Sequence, residues 1–363
     1  MPEQTICDRR RFLGTAAMTL GAARLGILGL AAQGGACATG QAAGDGELRA
    51  LGRATDWLNS PPLTAAGLAG KVVAVNVWTF TCINWLRTLP YVRAWANRYR
   101  DPGLVVIGVH APEFSFEHDL DNVRRQATAM HVTYPVAVDN DFAIWRAFNN
   151  KVWPALYLLD ANGEIRHHQF GEGGYEESER TIQQLLRNTG ARSVGSALTP
   201  VDASGAEVEA DWGNLRSPET YVGYAQTAHF ASPRGVAADV RHAYSVPRDL
   251  EVNHWALGGD WTVSRENAAL NAAHGRIAYR FHARDVHLVM GPAVRAASIP
   301  FRVTIDGRPP GESRGTDVDA QGNGVVNEQR LHQLIRQQGQ IVDRQFEIEF
   351  PAPGVQGFCF TFG

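Results

Sequence analysis

Val72-Val73-Ala74-Val75-Asn76-Val77-Trp78-Thr79-Phe80-Thr81-Cys82-Ile83-Asn84-Trp85 decides the fold of this chain. The first seven residues form an apolar run broken only by Asn76, the pattern of a central strand buried on both faces. A polar turn follows, and a helix is predicted from there to about Arg100. That order puts Cys82 at a helix N-terminus, where unpaired backbone N–H groups and the helix dipole favour a thiolate. Cysteine is also among the most buried residue types, so inert packing is the competing reading. The polar company of Thr79, Thr81 and Asn84 sides with a reactive thiol. A cysteine at position 85 would complete a C-x-x-C pair, but tryptophan stands there.

Outward from this stretch, strands alternate with helices. A second buried strand is read at 104–109, and Pro90 should kink the first helix by removing one backbone hydrogen bond. Helices are predicted over 117–130 and 142–149. Strands at 155–160 and 165–170 flank Ala161-Asn162-Gly163-Glu164, an Asn-Gly hairpin signal, and an amphipathic helix over 175–188 closes the unit. The pattern predicts an α/β sandwich over residues 56–190. Residues 191–214, rich in Ser, Gly and Ala, read as a linker. Beyond it, short alternating segments at 221–224, 255–257, 261–263, 276–282, 286–290, 301–305 and 346–350 are broken by Gly, Pro and Asp. They predict an all-β sandwich over 215–363.

Length and charge exclude some functions. The chain has 363 residues, enough for roughly two domains. Its formal net charge of −3 offers no basic surface for nucleic acid. The four cysteines, Cys7, Cys37, Cys82 and Cys359, form no close-spaced set, and the histidines lack metal-site spacing. His282 and His287 lie on neighbouring segments without a third ligand. No metal or cofactor is expected.

Residues 1–38 read as an address. Asp8-Arg9-Arg10-Arg11-Phe12-Leu13-Gly14 matches the twin-arginine export pattern, and an Ala/Gly-rich, weakly apolar region follows. Arg24 interrupts it, and no later stretch is long enough to span a bilayer. Cleavage is expected near Ala36-Cys37-Ala38. Lipidation of Cys37 is the less favoured alternative, because Gly34-Gly35-Ala36 lacks a large aliphatic residue. Residues 39–55 read as a mobile linker. The mature protein is therefore expected outside the cytoplasm, with no transmembrane segment.

Five segments carry a family resemblance. They are Trp78-Thr79-Phe80-Thr81-Cys82-Ile83-Asn84, Arg87-Thr88-Leu89-Pro90-Tyr91-Val92, Gly108-Val109-His110-Ala111-Pro112-Glu113-Phe114, Tyr134-Pro135-Val136-Ala137-Val138-Asp139-Asn140 and Val152-Trp153-Pro154-Ala155. Residues 56–190 resemble the thioredoxin-like domain of the redoxin/TlpA group, most nearly the soluble C-terminal region of DipZ-type cytochrome c biogenesis and thiol-redox proteins. Those proteins also carry a membrane-spanning domain, so the expectation is a detached, exported counterpart of their soluble part. Residues 215–363, closing on Gly357-Phe358-Cys359-Phe360-Thr361-Phe362-Gly363, resemble their carbohydrate-binding-module-like domain.

The resemblance implies that Trp153-Pro154 is a cis peptide beside the active sulfur, with backbone that pairs with an extended partner. An ordinary trans proline opening a strand is the plainer alternative. Asn76 stands where many thioredoxins hold a buried acid. Glu113 is then the candidate acid in sequence terms, weighed against a solvated loop carboxylate. Trp85 should add apolar cover beside Cys82 and raise its pKa. A mixed disulfide at Cys82 would need release by an external thiol. Cys359 is expected as a second thiol that does not bond to Cys82, because strand alternation turns it from both flanking phenylalanines and nothing places it beside the first domain. Trp255, Trp261, Tyr221 and Tyr224 could stack on a glycan, but core packing is the stronger reading.

Two function classes compete. One is an exported thiol–disulfide oxidoreductase-like protein with a single active cysteine, acting on protein or small-molecule thiols and disulfides, with a candidate glycan at the second domain. The other is a non-catalytic binding or scaffold protein with a degenerate thioredoxin site. A weaker alternative is a one-cysteine peroxidase, suggested by Thr79-x-x-Cys82 but lacking the proline that opens that motif, since Val75 stands there.

Overall fold

Strand β2 (Val72–Trp78) is buried at every position, and alternate residues serve two cores. A computed structural model describes residues 45–363; the twin-arginine signal, the cleavage site and Cys37 lie outside the described residues. In chain order the first domain comprises α1 (Asp45–Arg49), β1 (Asp56–Leu58), α2 (Ala65–Leu68), β2, α3 (Ile83–Arg98) and β3 (Leu104–His110). It continues with α4 (Leu120–Ala129), β4 (Val136–Val138), α5 (Ala143–Ala147), β5 (Ala155–Leu159), β6 (Ile165–Phe170) and α6 (Tyr175–Asn188). The sheet order is β1-β4-β3-β2-β5-β6, with β2 parallel to β3 and antiparallel to β5. Ala74 and Trp78 face a core shared with α3 and α6, while Val73, Val75 and Val77 face the opposite one. This is the α/β sandwich that the strand–helix alternation predicts, in the thioredoxin-like form that the resemblance implies.

Two segments differ from the sequence reading. Residues 39–55 are not wholly a linker: α1 and a 3-10 turn at Ala50–Arg53 bury Leu48 and Leu51 against the Val73–Val77 face. Those leucines are three apart, the spacing that puts both on one face. The helix expected over 117–130 is also divided. The Asp119 carboxylate accepts from the N–H groups of Asp121 and Asn122 at 2.8 and 3.2 Å, which starts α4 at Leu120. A 3-10 turn, Ser115–His118, takes the residues before it.

The second domain is antiparallel throughout its named strands: β7 (Thr220–Tyr221), β8 (Arg241–Tyr244), β9 (Trp255–Val263), β10 (Ala268–Leu270), β11 (Gly275–Phe281), β12 (Asp285–Pro292), β13 (Ile299–Ile305), β14 (Asn323–Val326), β15 (Arg330–Arg336), β16 (Arg344–Phe350) and β17 (Val355–Phe362). They enclose one apolar core containing Trp255, Trp261, Tyr279, Phe346 and Phe360. Trp255 and Trp261 are fully buried and donate to backbone carbonyls of Ala228 and Gly258, so neither ring is presented to a sugar. Ile305-Asp306-Gly307-Arg308 makes the expected tight turn, with Asp306 and Gly307 both at positive φ.

The connection at 191–214 is a packed strap. Thr199 donates its N–H and hydroxyl to the buried Glu179 of α6 at 2.8 and 2.5 Å, and Glu207 pairs with Arg93 of α3 at 2.6 Å. Thr199 and Glu207 thus find partners on the first domain, while Arg192, Ser193, Ser196, Asp202 and Ser204 stay exposed.

The last strand departs furthest from simple alternation. Val289 of β12 pairs with Cys359, but the next residue, Met290, pairs with Gly357, so Phe358 is an extra residue on β17. This β-bulge shifts the phase of the strand. Phe358 and Cys359 both face the first domain, and Phe360 and Phe362 face the second core. Cys359 is therefore turned away from Phe360 but not from Phe358, and it does lie against the first domain. The expectation built on strict alternation is corrected here. Leu331, Val289, Cys359 and Tyr221 align across β15, β12, β17 and β7, and all four pack on the core that holds α3.

Candidate functional site

Cys82 is the N-cap of α3, a sixteen-residue helix that starts directly beyond β2. Its N–H donates to the Thr79 carbonyl at 3.3 Å, closing the turn after Trp78, and its carbonyl accepts from Leu86 at 3.0 Å as the helix begins. Cys82 is half-buried and packs against the core of the first domain. The helix runs on through Pro90 to Arg98.

The Trp153–Pro154 peptide is cis. Ala155 pairs with Val77, so this peptide lies at the end of β2 from which the Cys82 turn departs. Trp153 donates its indole N–H to the Ala111 carbonyl at 3.0 Å, and Ala111 in turn donates to Trp78 at 2.9 Å. Trp145 packs on Trp153 with ring centroids 4.3 Å apart. The cis peptide, the start of α3 and the end of β3 thus converge at one end of the central strands.

Trp85 points into the protein. It is fully buried, stacks on Trp78 at 4.1 Å between centroids, and donates its indole N–H to Asn76 Oδ1 at 2.9 Å. Asn76 Nδ2 then donates to the carbonyl of Ala155, the residue after the cis proline, at 3.2 Å. A neutral amide in β2 and an indole one turn into α3 form a matched donor–acceptor pair. Together they tie helix, central strand and cis-proline loop. The resolving position of a C-x-x-C pair is here a structural anchor.

Glu113 was the acid singled out by sequence, and it accepts from the Tyr221 hydroxyl of the second domain at 2.5 Å. The acid buried near the cysteine is a different one. Glu117 is fully buried; it accepts from Thr81 Oγ1 at 2.6 Å, and from the N–H groups of Glu113 and Phe114 at 2.6 and 2.9 Å. Thr81 immediately precedes Cys82. Burial, reinforced by the neighbouring Glu113 carboxylate, pushes the Glu117 carboxyl from its ordinary 4.5 up to about 7. Sequence reasoning passed over Glu117 because it stands inside a predicted helix. The available signal was a carboxylate between aromatic residues, in the loop leaving a central strand. His110, at the end of β3, is likewise fully buried between Trp78 and Phe80, and burial lowers its pKa to about 3.

The sign of the Glu117 effect follows from linkage. The native protein keeps this proton up to about pH 7, whereas the unfolded chain releases it near 4.5. Its contribution to stability is therefore largest below 4.5 and is lost as pH rises through 7. Urea unfolding of wild type and Glu117→Gln across that range should show the wild type losing about 3 kcal/mol relative to the variant. Parallel stability curves would mean that Glu117 titrates alike in the native and unfolded chain.

Among the described residues no cluster of His, Cys, Asp and Glu could hold a metal ion, and no helix is long and apolar enough to cross a membrane. Residues 57–186 match the Redoxin family, and residues 217–363 match the family described as thioredoxin-like C-terminal domain. The chain is 34% identical to Protein DipZ of Mycobacterium tuberculosis over 313 residues, which is 85% of this chain and 42% of that protein. It thus spans less than half the length of that relative. It is 29% identical to the thiol-disulfide oxidoreductase YkuV of Bacillus subtilis over 133 residues, covering 37% of this chain and 89% of YkuV. A solution structure of a thioredoxin-like protein in its oxidised form is 30% identical, with a TM-score of 0.35, and covers 37% of this chain and 90% of that one. The chain is a thioredoxin-like protein, in which a redoxin domain is followed by a thioredoxin-like C-terminal domain.

Proposed function

We propose that this protein exchanges thiols and disulfides through Cys82, outside the cytoplasm, on protein or low-molecular-weight partners. The observation that carries this reading is the placement of Cys82 as N-cap of a long helix, at the end of the central strand β2 that also holds the cis Trp153–Pro154 peptide. The helix dipole at that point favours the thiolate, which is the attacking species. The backbone of a cis-proline loop suits pairing with an extended peptide. The name of the Bacillus relative, a thiol-disulfide oxidoreductase, supports the same chemistry. The twin-arginine pattern at Asp8–Gly14 supports export. Trp85, buried and paired with Asn76, excludes an 82–85 disulfide from the cycle.

That same tryptophan favours a second reading, a binding protein that keeps the thioredoxin surface without turnover. The two separate on one measurement. The reduced protein is offered glutathione disulfide, quenched with acid and analysed by mass. Thiol–disulfide exchange predicts rapid reaction that depends on Cys82 and is abolished in Cys82→Ser. A wild type that reacts no faster than Cys82→Ser would leave only the binding role.

A further inference from the structure

We infer that Cys359, on the last strand of the second domain, is the resolving thiol for Cys82, so that the redox pair spans the two domains. This rests on the exchange reading above and supplies the step that position 85 cannot.

A cysteine in a terminal strand is by itself a packing residue. Three observations set Cys359 apart. The bulge at Phe358 shifts β17 by one residue at this point, which takes Cys359 off the second core and turns it toward the first domain. Cys359 lies within the apolar cluster against which Cys82 packs. Its cross-strand neighbour Tyr221, which shares its face, reaches Glu113 at 2.5 Å. Glu113 donates its N–H to Glu117, and Glu117 accepts from Thr81, the residue before Cys82. The row that carries Cys359 is thereby fastened to the loop beside the reactive turn. Phe358 holds the contact from the other side, with its ring 5.3 Å from Phe114 and 4.8 Å from Phe116.

The chemistry balances with a disulfide substrate as the oxidant. The Cys82 thiolate attacks one sulfur of R–S–S–R, forming a Cys82–S–S–R bond, and R–S⁻ leaves and takes a proton from water. The Cys359 thiol gives up its proton, and its sulfur attacks Cys82 Sγ. A Cys82–Cys359 bond forms as the second R–S⁻ departs. The substrate gains two electrons, and two protein thiols lose them. Burial of Cys359 suits this order of events. It is only 2% exposed, so external disulfides meet Cys82 first, while attack on Cys82 from inside the interface needs no solvent path. Bond formation requires the two Cα atoms to come within roughly 4.4–6.8 Å, so the crosslink is also a distance measurement.

The test uses the full chain, reduced and then exposed to glutathione disulfide, with acid quenching and non-reducing peptide mapping. In the wild type an 82–359 crosslink is expected, with both glutathione molecules released. In Cys359→Ala the Cys82–glutathione adduct should persist, with at least a tenfold longer lifetime. A wild type that accumulates a stable Cys82 adduct and no crosslink overturns the inference and leaves exchange at Cys82 standing. Absence of both adduct and crosslink overturns the exchange reading as well. The wild-type map decides even if Cys359→Ala does not fold.

Discussion

Trp85→Cys is expected to lower the free energy of unfolding by about 3–5 kcal/mol, even though it writes a C-x-x-C motif into the chain. From sequence alone the substitution looks like a restoration at the correct helical spacing, and an 82–85 disulfide is what it should permit. The structure attaches a cost to it. The indole is fully buried, stacks on Trp78 and is the donor for Asn76 Oδ1. Removing it opens a cavity beneath α3 and leaves a buried amide oxygen short of its hydrogen bond. Trp85→Phe keeps a stacked ring but loses the donor and part of the indole volume, so a smaller loss of about 1–3 kcal/mol is expected there. Chemical denaturation of both reduced variants checks the prediction. A Trp85→Cys protein as stable as wild type would show that the Trp78–Trp85–Asn76 arrangement is not an anchor.

Arg87→Met should be as damaging, by about 3–5 kcal/mol near neutral pH. Arg87 is buried on α3; it pairs with Glu172 at 3.0 Å and donates to the Phe362 carbonyl of β17 at 2.8 Å. It joins the helix that begins at Cys82 to the strand that carries Cys359. Loss of the guanidinium strands a buried carboxylate, because Glu172 is held above the usual range by burial, which the attraction of Arg87 opposes. The sign follows from that direction. A carboxyl with a raised native pKa is tolerated when protonated, so the damage should be greatest at and above neutral pH and shrink as pH falls toward the ordinary glutamate range. Arg87→Met combined with Glu172→Gln should recover most of the lost stability, since replacing both partners removes the stranded charge. Additive losses in the double variant would mean that the two side chains act independently.

The chain's local chemistry explains why so much of the architecture was legible. A seven-residue apolar run, a polar turn and an amphipathic helix admit few arrangements, and the Asn-Gly hairpin and Tyr175–Asn188 helix followed from turn chemistry and period. The packed segments at 45–53 and 191–214 were not legible. Their composition is that of a linker, and what fixes them is burial of Leu48 and Leu51 against Val73–Val77 and pairing with Glu179 and Arg93, residues that lie outside each segment. Glu117 escaped because it stands inside a predicted helix, where a charged residue reads as solvated. A carboxylate's burial depends on its tertiary surroundings, and here the aromatic residues beside it, Phe114 and Phe116, pack on Phe358 of the other domain.

By itself the sequence determined the alternation of the long strands and helices of the first domain, the place of Cys82 at a helix start and the absence of a cysteine at position 85, because each of these is set by residues adjacent along the chain. The tertiary structure alone decided which way Trp85 points, which acid is buried beside Thr81 and which domain Cys359 faces. The last turns on one extra residue at Phe358, and a register between strands is fixed by the partners a strand meets, not by its own alternation.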